Sequence, residues 1–178
     1  MPNLTTIKSS NLTKAVGATA LVVALCASAS PTMSAKDLCS KVSGKGVMTV
    51  VPSPNDPLGR IAGTTTGTLK AAATAFFLSL APNPDGSLHA TSDSVWVLGP
   101  QDVLRLAGDA TLTPVADGPI GTVSDVETLT VTGGSGRYAG ATGMLSITGI
   151  GYNAFGPNAG PGNSYFDLHY EGTVCKAN

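Results

Sequence analysis

Charge is scarce in this chain: ten lysines and arginines and eleven aspartates and glutamates make up only 12% of its 178 residues. Charge this dilute excludes the highly charged, disordered class. With Gly, Pro, Ser, Thr, Ala and Val abundant, it also argues against a helical bundle. No basic stripe exists to neutralise phosphates, so nucleic acid is excluded as a partner, as is adhesion to an anionic membrane. Histidine is scarcer still, His89 and His169 alone, and no His-Glu-x-x-His helix or Gly-x-Ser-x-Gly elbow occurs. Neither a metal site nor a bound cofactor is expected. Long apolar runs are missing too: Ala15 to Leu25 falls short of the roughly 20 residues that span a bilayer. Stable membrane insertion is therefore not expected.

That short run has another reading. Lys8 and Lys14 precede it and Ala27-Ser28-Ala29 follows it, the three parts of an export signal cleaved after Ala29. Cys26 does not make a lipoprotein anchor, because Leu25 stands where a small residue is needed. The expected organisation is a signal peptide over 1–29 and one domain over 30–178, secreted or periplasmic. Losing Lys8 and Lys14 leaves eight basic against eleven acidic residues, a net charge near −3.

Of three cysteines, the domain keeps Cys39 and Cys175, one near each end. In an oxidising compartment such a pair reads as a disulfide. It makes the first and last segments neighbours, as in a sheet closed on itself. A reactive thiol or metal ligand is the competing reading, but no second cysteine or histidine sits at ligand spacing.

What the chain has in quantity is turn chemistry, 22 glycines and 12 prolines. Ala35 to Ser40 suggests a brief helical turn and Gly46 to Val51 a first strand, broken by Pro52, Pro54 and Pro57. The Thr- and Gly-rich stretch from Arg60 leads into Ala71–Leu80, read as one strand although alanine favours helix. Turns follow at Asn83–Gly86, Gly99–Asp102, Gly108-Asp109 and Asp117–Pro119. They delimit strands over 87–98, 103–107, 110–115, 122–132, 144–152 and 165–174. Residues 153–163, rich in Gly and Pro, read as an exposed, mobile loop. About eight short strands with regular turns predict an all-β fold, and the end cysteines favour a single eight-stranded antiparallel barrel over a sandwich.

The centre of the pattern is Thr130-Val131-Thr132-Gly133-Gly134-Ser135-Gly136-Arg137-Tyr138-Ala139-Gly140-Ala141-Thr142-Gly143. A phosphate loop would need a lysine and then a helix, and a dinucleotide fingerprint would open a helix, whereas a strand pattern follows here. The glycines read as a turn with close strand approach, and Arg137 as a structural partner for carbonyls or a carboxylate. This stretch resembles the signature hairpin of the allene oxide cyclase barrel-like superfamily, shared with plant dirigent proteins. Tyr170-Glu171-Gly172-Thr173-Val174-Cys175 resembles the final strand of its exported members. The resemblance implies an eight-stranded antiparallel barrel with an apolar cavity, a homo-oligomer that is often trimeric in the plant members.

Strand alternation proposes the lining of that cavity. In the last strand Phe166, Leu168, Tyr170 and Val174 share the apolar, inward face, leaving Asp167, His169 and Glu171 solvated. Trp96, Tyr152, Tyr170, Phe76, Phe77 and Phe166 would form a mouth suited to a small apolar or aromatic guest. Asp125 and Glu127 would be the best acids if they face inward, which periodicity leaves open because both faces of their strand are mixed.

Two functions remain. One is a cofactor-independent cyclase or isomerase that holds a small hydrophobic substrate in one conformation, assisted by Tyr170, Asp125 or Glu127. The other is a non-catalytic barrel, structural or binding a small molecule.

Overall fold

The structure is a computed structural model that describes residues 38–52 and 58–177. The export signal expected over 1–29 lies outside the described residues.

Eight strands follow one another: β1 Leu38–Val51, β2 Arg60–Thr65, β3 Ala71–Pro82, β4 Leu88–Val97, β5 Val103–Pro114, β6 Val123–Ser135, β7 Thr142–Tyr152 and β8 Tyr165–Lys176. Each pairs antiparallel with the next, and β8 returns to β1, so the sheet is a closed barrel without an open edge. The expected barrel is present. Cys39 faces Cys175 across the β1–β8 seam and the two are joined as a disulfide.

The strand count agrees with the sequence reading, but three segments differ from it. Leu38 to Ser40 is strand rather than helical turn, because β1 finds twelve partners along β8. The strand read over Ala71–Leu80 is present as β3, but the Thr- and Gly-rich stretch leading into it is a strand of its own, β2, and the two form a hairpin turned at Thr66–Lys70. Gly67 takes a φ of 87° there, and the Thr68 hydroxyl donates to the Ser43 carbonyl at 2.7 Å. Conversely, Gly108-Asp109 is no turn, and β5 runs straight through it. Leu104, Leu106, Ala110 and Leu112 bury one face of β5 on both sides of Gly108, and that continuous alternation outweighs a weak local turn signal.

The glycine-rich segment closes one end. β6 carries a bulge opposite Arg105/Leu106 and passes into a single 3-10 turn, Gly136–Tyr138. Gly136, at a φ of 60°, occupies a conformation that a side chain would strain. Arg137 is structural, as read: its Nε donates to Asp102 Oδ2 at 2.7 Å and its backbone N–H to Oδ1 at 2.9 Å. The two turns at this end are thereby latched together.

Large side chains fill much of the lumen where the facing strand has glycine. Tyr170 lies against Gly44, where a Cβ would stand 2.6 Å from its hydroxyl, and Phe166 lies against Gly151. At the opposite end the β7–β8 loop folds across the mouth. Its exposure is as expected over Gly156–Ala159, yet Ala154 and Phe155 pack on the core. Buried Ser164 ties the loop down. Its hydroxyl donates to the Asn153 carbonyl and accepts from the Gly160 N–H, and its carbonyl accepts from the Val50 N–H and the Thr49 hydroxyl.

Candidate functional site

At the mouth, under the β7–β8 loop, lies a pocket of about 320 Å3. Val50, Phe77, Leu80, Leu112, Phe155 and Phe166 form its apolar wall. Ligand pockets start at roughly this size. A larger concavity on the outer face, beside Lys41, Ser43, Met144 and Glu171, is an open groove with neither Asp125 nor Glu127 in its lining. The mouth pocket is therefore the better candidate.

The expected aromatic lining divides. Phe77 and Phe166 are in the pocket wall. Phe76 is not: it points outward beneath the Arg60 guanidinium, 4.2 Å from the ring centroid. Tyr152 is also outside, stacked at 4.6 Å on Tyr165, because the inward face of β7 is the one holding Leu145 and Ile147. Trp96 faces inward but lies deeper, in the core, edge-on to Tyr170 at 5.4 Å. Leu80, Leu112 and Phe155 went unnoticed in the sequence. A bulge at Phe77/Ser79 returns Leu80 to the inner face, and bulges leave no mark in simple alternation. A lone phenylalanine within a Gly/Pro loop was the available signal for Phe155.

Tyr170 has its hydroxyl occupied. It donates to the Thr66 carbonyl at 2.8 Å and accepts from the Leu69 N–H at 2.9 Å, anchoring the β2–β3 turn inside the barrel. Tyr170→Phe should therefore act on stability, leaving a buried N–H unpaired at a cost of about 1–3 kcal/mol. A denaturant midpoint that does not move would contradict this anchoring role.

Both acids of β6 face inward. Asp125 is 6% exposed, and its Oδ1 has no hydrogen-bond partner. Burial alone pushes its carboxyl up to about 6. Glu127 is raised to about 7, first by burial and then by the neighbouring Asp125 charge, against a hydrogen bond from Ser92 that lowers it. Its Oε1 accepts that bond from the Ser92 hydroxyl at 3.2 Å. Asp125 stands directly across from Leu112 of the pocket wall. Glu127, one inward position deeper, lines a second cavity of about 30 Å3 with Trp96, Ser94 and Ile147. Asp167, His169 and Glu171 do not join them. All three are exposed on the outer face, as β8 alternation requires.

The barrel is similar in shape to a dirigent protein. That solved structure, a pterocarpan synthase dirigent protein, is 12% identical, with a TM-score of 0.43 over 79% of this chain and 86% of the other. At such identity no residue's role passes from one to the other. No family model matches the chain, and no curated protein matches it. Among the described residues no group of three His, Cys, Asp or Glu is placed to hold a metal, and no helix is long and apolar enough to cross a membrane.

Proposed function

We propose that the protein holds a small, largely apolar molecule in the mouth pocket and moves a proton on it, as a cofactor-independent isomerase or cyclase. The observation that carries this reading is the Asp125 carboxyl, buried without a partner one cross-strand step from the pocket wall. Burying such a group costs stability that an apolar residue would not, and groups retained at that cost cluster at functional sites. Of the two raised carboxyls Asp125, at about 6, loses its proton before Glu127, at about 7, so near neutrality the Asp125 carboxylate can take a proton from the guest while the Glu127 carboxyl holds the proton that is returned. Gain and loss of one proton balance as an isomerisation with no redox partner. Phe77 and Phe166 orient the guest, and the loop through Phe155 excludes water. The disulfide supports an oxidising setting, secreted or periplasmic. The outer faces would serve a homo-oligomer, trimeric if the family resemblance extends to assembly.

A second reading, a non-catalytic carrier, is favoured by the filled lumen: the cavity beside Glu127 has room for little more than water, so a guest contacts chiefly apolar wall. One experiment treats both. The protein purified from its own compartment is weighed by native mass spectrometry, and bound material is then extracted under denaturing conditions. A small apolar molecule should be recovered, and Phe77→Trp, which fills the pocket, should reduce the recovered amount at least tenfold. Incubated with fresh protein in deuterated water, that molecule should isomerise and gain deuterium, and Asp125→Asn should abolish both. Its return unchanged would establish the carrier, and failure to recover any apolar guest would overturn both.

A further inference from the structure

Glu127 does not lie over its own cross-strand partner. In register it faces Ala110, while Asp125 faces Leu112 and Leu129 faces Gly108. Yet a Cβ at Gly108 would overlap both Glu127 Oε1 and Ser92 Oγ. The Glu127 carboxyl therefore leans one inward position along β5, over Gly108 and away from the Asp125 row. Ser92, 4% exposed and itself opposite Gly108, meets it there with a hydrogen bond of 3.2 Å. Any side chain at 108 would fill this niche.

We propose that Ser92 is a positioning residue of this site: its hydroxyl, in the niche left by Gly108, holds the Glu127 carboxyl against β4 and β5 and apart from Asp125. The inference rests on the reading of Glu127 as the group that holds the returning proton. Two carboxyls two residues apart on one buried face repel when both are ionised, and without a fixed separation they would share one proton indiscriminately. A donor given to only one of them limits how far that one is raised. Ser92 favours the ionised form of Glu127, and Asp125, with no donor, is raised by burial alone. The other groups around Glu127 do not supply this asymmetry. Asp109 of β5, on the outer face, raises Glu127 further; Ala110 and Ile147 are apolar; Tyr170, beyond Ile147, has its hydroxyl bound to backbone.

Carbon-detected NMR titration of the two carboxyl groups in the disulfide-closed protein tests this without any substrate. Ser92→Ala should move the Glu127 midpoint up by roughly one unit, the shift that a hydrogen bond to a carboxylate represents. Gly108→Ala, which evicts the carboxyl from its niche, should move it in the same direction. Ser94→Ala, on the same strand and facing the same inner cavity, should leave it in place. A Glu127 midpoint unmoved by Ser92→Ala, or moved equally by Ser94→Ala, overturns the proposal. An empty mouth pocket would sink the proposed function and leave these midpoints as expected, so the two failures are distinguishable.

Discussion

Reduction of the Cys39–Cys175 bond should lower the melting temperature by on the order of 10–20 °C. The bridge joins residues 136 positions apart, and on the chain-entropy model a loop of that length contributes about 5 kcal/mol, as an upper figure. Its location adds to this effect, because β1 and β8 are the first and last of the eight strands and their pairing closes the barrel. Without the bond, each of the two strands is held by hydrogen bonds and packing alone, and fraying can begin at Leu38 and Lys176 together. Differential scanning calorimetry with and without reductant, with thiol titration to confirm full reduction, measures the change. An unchanged midpoint with two titratable thiols would mean that the seam holds without its staple.

Raising the pH from 5 to 8 should also destabilise the protein, against the common tendency of domains to be most stable near neutrality. Asp125 and Glu127 have folded-state values of about 6 and about 7, above their ordinary values of 3.8 and 4.5. A group raised on folding gives its full stability below its unfolded value and loses it as the pH climbs through the folded one. The loss therefore begins near pH 4 and is complete above 7, on the order of 3 kcal/mol per carboxyl. Asp102 and Asp85 behave oppositely. Both are lowered, Asp102 by its bonds from Arg137 and Asp85 by those from Ser87, so their contribution disappears only as the pH falls below the ordinary carboxylate range. The interval from 5 to 8 thus isolates the buried pair. The double variant Asp125→Asn/Glu127→Gln should flatten the dependence of melting temperature on pH over that interval. A wild-type curve that is flat or rising between pH 5 and 8 would show that the carboxyls are solvated or paired.

The barrel was legible in the sequence because closure is written in few places. Regular turns, alternation in β4 and β8, and a cysteine near each end of the domain suffice to indicate it. Where the reading slipped, a long-range partner overrode a local signal. Gly108 looked like a turn because its purpose, space for the Glu127 carboxyl, belongs to a strand that follows some twenty residues later. The β2–β3 turn was hidden because its anchor, the Tyr170 hydroxyl, comes from the last strand. The site was legible only in part. Phe166 followed from alternation, whereas Phe76, Phe77 and Tyr152 were drawn to the mouth by being aromatic, and register keeps Phe77 in the wall and sends the other two outside. The mixed polarity of β6 could not orient Asp125 and Glu127. The burial of Asp125 and partial burial of Glu127 are properties of the closed barrel, in which Val123, Leu129 and Val131 carry them to the inner face.

The seam has one more consequence, for the order in which the barrel can be made. β1 is paired with β2 over six residues but with β8 over twelve. During synthesis its principal partner is therefore the last of the eight strands to emerge, and until then β1 presents a long open edge able to pair with another chain. Contacts so distant in sequence form late, since the loop between them must first be closed. The last strand made decides whether the first is folded.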